Sequence, residues 1–510
     1  AFFLENYELS QFDMRDKTKM AVKIFGNEMR GRWIYSASLS GNNENAVMLN
    51  LIESYTEYTG RMAPLPDWMN RGAVVGMQGG TEKVLRIYEQ LTALDTPMAA
   101  FWLQDWVGRR QTSFGSQLWW NWDLDGQQYP NWDMLVTTLN QNDIRVMTYI
   151  SPFLVEVPDD YQGERLYEFA KENGYFVLDQ EGSQPYMIEN TDFSASMIDL
   201  TNPEARNWMK GIINKNVIGV GASGWMADFG EALPLDATLA SGVSGELYHN
   251  RYAEEWARLN QEAVADANRT GDIVFFTRGG FTRSPGFSTL FWEGDQMVTW
   301  DENDGLKSAI TGLLSSGLSG FSLNHNDIGG YTSIKVLCLV EITRSRELLF
   351  RWMEMNAFTA VFRTHEGIQP ENNVQFYTDE ETLHQFSKFA KIYASLSSYR
   401  EALMAEASEK GYPVVRHPFL HYPNDPVTFD LKYQWMLGSV FMVSPVTEEG
   451  RVTVTVYLPE GNNWTHIWTS VNYTGGSWYQ IDAPIGEPAV FFQAGNAIGE
   501  SFIDNLSSYY

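Results

Sequence analysis

The sequence predicts an α/β fold, a (β/α)8 TIM barrel followed by a C-terminal β-sandwich. Three observations predict it. Between residues 67 and 400, eight short apolar runs alternate with segments of helical periodicity. Those runs are continuously apolar instead of alternating, as strands buried on both faces are. After residue 401 the texture changes to strict alternation broken by glycine turns, the pattern of half-buried antiparallel strands.

The eight runs are 72–80, 99–106, 145–152, 224–231, 273–280, 288–296, 318–330 and 358–365. After the first, Val84, Tyr88, Leu91 and Leu94 share one helical face. Residues 154–200 read as an insertion after the third strand, with a helix near 164–173. In the tail, Val452, Val454, Val456 and Leu458 face one way and Thr453, Thr455 and Tyr457 the other. Gly461-Asn462 and Gly475-Gly476 supply turns. Residues 1–66 contain a helix near Val47–Thr59 and little else legible. Three segments are therefore expected: 1–66, a barrel over 67–400, and a sandwich over 401–510.

Composition narrows the function. Of the 510 residues, 44% are hydrophobic and 14% aromatic, enough for a large core. The chain carries 64 acidic against 36 basic residues, a net charge of −28. Such a surface repels phosphate backbones, so nucleic acid is excluded as a partner. Nothing approaches the ~20 apolar residues of a membrane span, and no signal peptide is visible at the N-terminus. The compartment stays open between cytoplasm and periplasm or secretion, and so does homo-oligomer formation. The single cysteine, Cys338, lies in the apolar run 336–340 and is expected to be a buried thiol. With seven histidines, the chain has no metal-binding spacing. A G-x-G-x-x-G match at 219–224 precedes a strand instead of following one, so it reads as the turn closing a helix over 203–218. No metal or cofactor is called for.

Several apolar runs end in polar residues: Gln104-Asp105, Asp228, Arg278, Asp295, Asp327, Arg363 and His365. Barrel sites gather at the C-terminal ends of strands, where side chains far apart in sequence converge. Two segments carry the chemistry, Gly224-Trp-Met-Ala-Asp-Phe-Gly-Glu231 and Phe291-Trp-Glu-Gly-Asp-Gln296. Each puts an aspartate just past a strand, beside glycine. Glycoside hydrolysis needs two carboxylates, one to attack and one to protonate the leaving oxygen. The second must titrate well above the usual ~3.9 of an aspartate, and Trp292 and Glu293 are placed to raise it. Barrel isomerases and metal hydrolases also put aspartates at strand ends, so the pair alone leaves those classes open.

The same two segments resemble the nucleophile and acid/base segments of glycoside hydrolase family 31, and within it the sulfoquinovosidase branch. The resemblance continues through Leu65-Pro-Asp-Trp68, Gly76-Met-Gln-Gly-Gly80, Gln104-Asp-Trp106, Thr112-Ser-Phe-Gly115, Asp199-Leu-Thr-Asn-Pro-Glu204, Asp327-Ile-Gly-Gly-Tyr331, Arg363-Thr-His-Glu-Gly367 and Leu458-Pro-Glu460. It implies a retaining α-glycosidase acting on α-linked sulfoquinovose, a glucose with a sulfonate at C6, as its glycerol glycoside or sulfolipid. Asp228 would be the nucleophile and Asp295 the general acid/base. Gln78, Gln104, Asp105, Arg278 and His365 would hold sugar hydroxyls, with Asp327 nearby in its matching motif. Trp120 and Tyr331 would belong to the sulfonate pocket. The family's N-terminal β-sandwich would end within residues 1–66, so the chain is expected to be shortened there and to expose apolar surface.

One position departs from the branch. Gln117 stands where the pattern has an arginine. A guanidinium pairs with an anion through charged, forked bonds, whereas an amide donates without charge. Arg109 and Arg110 are the nearby substitutes. Two alternatives follow: an α-glucosidase or α-galactosidase acting on an unsulfonated sugar, and a catalytically silent sugar-binding relative.

Overall fold

The computed structural model describes residues 2–16, 18–35, 47–113, 115–336 and 340–507. Cys338, and Phe114 of the motif at 112–115, lie outside the described residues.

Seven of the eight runs form a parallel sheet. Its strands are β1 (Ala73–Met77), β2 (Met98–Leu103), β3 (Arg145–Ile150), β4 (Gly224–Ala227), β5 (Val274–Thr277), β6 (Leu290–Trp292) and β7 (Asn324–His325), paired in that order. The eighth run closes the barrel through single bridges instead of a ladder. Phe362 and Val74 are joined by Val74 N–H at 2.9 Å, Thr364 N–H reaches Val74 O at 3.1 Å, and Ile328 N–H reaches Arg363 O at 3.1 Å. Gly76 permits that closure: its N–H donates to Thr364 Oγ1 at 2.9 Å, and a Cβ there would lie 2.1 Å from Thr364 O. Every residue of β1, β4 and β5 is buried, which is why these strands read as unbroken apolar runs. The longer runs contribute only two or three strand residues each near their centres, because their polar ends turn away toward the mouth.

The barrel interior is closed by a polar plug set among aromatic rings. The Arg363 guanidinium lies 4.8 Å from the Trp102 ring and 5.0 Å from Phe276. It pairs with Asp327, and its Nε donates to His325 Nε2 at 2.8 Å. His325 is thereby the Nδ1–H tautomer, donating to Phe291 O at 2.9 Å.

The helix expected over 203–218 begins at Pro203, where Asn202 accepts from Glu204 N–H at 2.9 Å. It ends at Ile218, and the glycine cluster then turns into β4. The insertion after β3 carries the helix Leu166–Glu172 and a hairpin of Ile188–Asn190 with Phe193–Met197. A second hairpin, Arg109–Thr112 with Gly115–Leu118, rises from the loop after β2. These two hairpins become part of the site.

Beyond the barrel, a six-stranded antiparallel sheet packs on the pair Thr453–Leu458 and Ser477–Asp482. Met436, Met442, Val456, Leu458, Trp464, Ile481 and Phe491 fill the space between them. Val452 lies outside the strand and is exposed. Arg351, on the helix Arg346–Asn356, joins barrel to sandwich. It pairs with Glu354 at 2.8 Å and donates to the carbonyls of Arg451 and Ala483 at 2.8 and 3.0 Å. Near the N-terminus, besides the expected helix Val47–Thr59, Phe2–Leu4 pairs with Gly31–Trp33 and Ser10–Asp16 with Lys19–Ile24. These strands were illegible because their two faces differ little: Phe12, Met14 and Trp33 are exposed alongside charged neighbours.

Candidate active site

At the C-terminal mouth of the barrel a cavity of about 310 Å³ is lined by residues from seven of the eight runs and both hairpins. Nine of the eleven site residues expected from the sequence meet there: Gln78, Gln104, Gln117, Trp120, Asp228, Arg278, Asp295, Tyr331 and His365.

Asp228 follows β4, at a turn where Phe229 adopts φ +60°, a conformation costly for a bulky residue. The turn aims Phe229 N–H at the Asp228 carboxylate, 2.8 Å away. The other oxygen accepts from Tyr149 Oη at 2.6 Å. Tyr149 sits on β3, and burial followed by the Asp228 charge pushes its phenol far up, so it remains the donor. Arg278, at the end of β5, adds an ion pair, its Nε lying 3.3 Å from Asp228. Two hydrogen bonds and an ion pair together fix the orientation of this side chain.

Asp295 stands opposite. The same Arg278 guanidinium reaches it through Nη1 at 2.9 Å, so the two carboxylates flank one side chain. Arg278 also pairs with Glu231 at 2.8 Å. Burial opposes its charge, but Asp228, Asp295 and Glu231 more than offset this and hold it protonated. The Asp295 side chain opens to the cavity, 36% exposed, while protein surrounds it elsewhere. That desolvation raises its carboxyl to about 7, opposed by Arg278 and reinforced by the charges of Asp228 and Asp327.

Sugar-sized polar groups surround the pair. Gln78 Nε2 donates to Gln104 Oε1 at 3.1 Å, and Gln78 N–H is held by the buried Glu366 at 2.6 Å. Glu366 is fixed in turn by Lys83 at 2.5 Å and by Tyr377. His365 Nδ1 accepts from Gly367 N–H at 2.9 Å, which leaves the proton on Nε2. Burial, then Arg363 and Arg344, keep the ring neutral. Trp120 stacks on Phe153 at 5.2 Å and meets Phe193 and Phe229 edge-on. Tyr331 packs edge-on to His365 at 4.6 Å.

Asp105 and Asp327 are placed otherwise than the sequence led one to expect. Neither lines the cavity, and both are fully buried. Asp105 accepts from Gly79 N–H at 2.9 Å, Gln128 at 2.7 Å and Tyr129, and pairs with Arg109 at 3.3 Å. Its oxygens support the loop carrying Gln78 instead of facing a ligand. Asp327 is held by Arg363 beneath the floor. In contrast, Tyr149 and Phe229 line the cavity and were not singled out by sequence, while Trp292, expected beside Asp295, lines it too. Tyr149 carried a signal, a phenol at the C-terminal end of an otherwise apolar run. Among the described residues, no cluster of three or more acidic, histidine or cysteine side chains is arranged to hold a metal ion, and no helix is long and apolar enough to cross a membrane.

Fold and site together define a (β/α)8-barrel protein with a carboxylate pair across a sugar-sized cavity at the C-terminal mouth. Residues 65–403 match the TIM-barrel domain of glycosyl hydrolases family 31, and residues 411–498 match that family's C-terminal domain. The chain belongs to glycosyl hydrolase family 31. It is 42% identical to a sulfoquinovosidase of Escherichia coli (strain K12) over 446 residues, covering 88% of this chain and 64% of that protein. It is 39% identical to a sulfoquinovosidase of Agrobacterium fabrum, covering 97% of this chain and 71% of that one. The chain thus spans about two thirds of these curated relatives' lengths. A solved GH31 sulfoquinovosidase from E. rectale, in complex with an aza-sugar inhibitor, superposes with a TM-score of 0.91 at 35% identity, covering 100% of this chain and 73% of that one.

Proposed function

We propose that this chain is a retaining exo-α-glycosidase acting on α-sulfoquinovosides. The observation that carries the proposal is the shared guanidinium. Arg278 touches two carboxylates whose surroundings differ, one held by hydrogen bonds from Tyr149 and Phe229 N–H and the other desolvated to a pKa of about 7. Two acids in such different surroundings take separate roles. In the first step an Asp228 oxygen bonds to the anomeric carbon as the bond to the aglycone oxygen breaks. Asp295 gives its proton to that oxygen. In the second step Asp295, now a base, takes a proton from water. The water oxygen bonds to the anomeric carbon, and Asp228 leaves as a carboxylate. Tyr149 Oη is positioned to stabilise that departing anion. Gln78, Gln104 and the His365 Nε2–H offer hydrogen bonds to ring hydroxyls.

The sugar is taken from the two sulfoquinovosidase relatives and the sulfoquinovosidase structure. Gln117 motivates a second reading, in which the substrate is an unsulfonated α-hexoside. The test is twofold. A mechanism-based cyclophellitol or fluorosugar reagent should label Asp228, read by peptide mass spectrometry. Turnover of an aryl α-sulfoquinovoside should exceed that of the matching α-glucoside. Absence of a covalent adduct overturns the glycosidase proposal; preference for the glucoside overturns the choice of sugar.

A further inference from the structure

An anionic substituent entering this cavity meets an electrostatic difficulty. Among the described residues Arg278 is the only arginine or lysine in the lining, and three carboxylates already surround it. Other nearby cations are likewise committed. Arg109 pairs with Asp105, Arg363 with Asp327, and Lys83 with Glu366. Arg344 spends its N–H groups on the carbonyls of Gly329 and Gly330.

Arg110 is different. Its guanidinium lies between two rings, 3.3 Å from the Phe193 centroid and 4.6 Å from Trp119. Its buried Nε and Nη2 have no hydrogen-bond partner, and no carboxylate pairs with it among the described residues. Burial alone draws it down to about 10, which leaves it charged at neutral pH. In the hairpin ladder Arg110 is directly opposite Gln117, so both side chains leave the same face. Gln117 lines the cavity, and its Oε1 accepts from Thr191 on the neighbouring hairpin at 2.9 Å. That bond engages the amide oxygen, so the N–H groups are what Gln117 has to offer a ligand. Phe193, against which Arg110 rests, packs edge-on to Trp120 in the same wall.

We propose that the wall built by the two hairpins recognises a sulfonate on the substrate by divided labour, with Gln117 donating hydrogen bonds and Arg110 supplying charge from behind the lining. This rests on the sulfoquinovoside reading above and adds the residue that sets the preference. A charge that is uncompensated and only partly solvated acts over a longer range than a surface pair.

The experiment measures the ratio of kcat/KM for 4-nitrophenyl α-sulfoquinovoside over 4-nitrophenyl α-glucoside. Wild type, Arg110→Met, Arg110→Lys and the double variant Arg110→Met with Gln117→Arg are compared. Arg110→Met should lower the ratio about tenfold, mainly through KM of the sulfonated substrate. Arg110→Lys should keep most of it, and Gln117→Arg should restore it. Raising salt from about 20 mM to about 0.5 M should increase KM for the sulfonated substrate in wild type and much less in Arg110→Met. A loss shared equally by both substrates and unrelieved by Gln117→Arg makes Arg110 a packing residue and overturns the inference. So does a ratio that stays unchanged. A wild type that favours the glucoside overturns the sulfoquinovoside reading itself, before any variant is compared.

Discussion

The sharpest consequence of the site concerns pH and the charge of Glu231. In the proposed role of general acid, Asp295 must be protonated when substrate binds. Its carboxyl titrates near about 7, so the competent form is present below that value and lost above it. kcat/KM should therefore fall tenfold per pH unit beyond about 7, which by pH 9 amounts to about 2.7 kcal/mol of lost transition-state stabilisation. Glu231 tunes this limb indirectly. It takes Arg278 Nε and Nη2 at 2.9 and 2.8 Å, on the far side of the guanidinium from Asp295. Glu231→Gln removes a negative charge that repels the Asp295 anion and competes for Arg278. Both effects favour ionised Asp295, so the limb moves to lower pH. The Glu231 side chain is 46% exposed, and solvent screening holds the change to about 1 kcal/mol, or roughly 0.7 of a pH unit. The assay is the pH dependence of kcat/KM on an aryl α-sulfoquinovoside for both proteins. A limb that stays put or moves to higher pH refutes this account of the site, as does a wild type without a basic limb between pH 6 and 8.

Three further outcomes are expected. Asp228→Ala should abolish turnover by more than about a thousandfold, roughly 4 kcal/mol or more, with circular dichroism unchanged and no covalent adduct from the mechanism-based reagent. Tyr149→Phe removes one charge-assisted hydrogen bond from Asp228, worth about 1.5–3 kcal/mol; because that bond eases departure of the carboxylate, hydrolysis of the covalent intermediate should slow about 10- to 100-fold and a pre-steady-state burst should appear. Arg351→Met strands the buried Glu354 at the joint between barrel and sandwich and should cost about 3–5 kcal/mol, read as a lower urea midpoint for unfolding while kcat measured in native buffer changes little.

Much of the architecture was legible from local pattern. Parallel strands buried on both faces must be continuously apolar, so 72–80, 145–152 and 224–231 declared themselves. The alternation of Thr453–Leu458 marked a strand with one wet face. The eighth run was legible as apolar, but its pairing was not, since 358–365 closes the barrel through bridges that depend on the approach of Gly76 to Thr364. Asp228 and Asp295 were legible because ionisable residues at the ends of apolar strands are expensive without a purpose.

What the sequence by itself determined is therefore the class of fold and the two strand-end aspartates that meet at the cavity, since both follow from the cost of burying polar groups in a short stretch of chain. The tertiary structure alone decided which polar groups face the ligand. Asp105 and Asp327 share the strand-end positions of the proposed catalytic pair, yet lie behind the wall, where Arg109 and Tyr129 hold the one and Arg363 the other, each from its own place in the fold. Arg109 and Arg110 are neighbours in sequence and opposite in circumstance, one neutralised by a carboxylate and the other held charged between two rings. A charge's partner is a matter of distance in space, and residues far apart along the chain supply it.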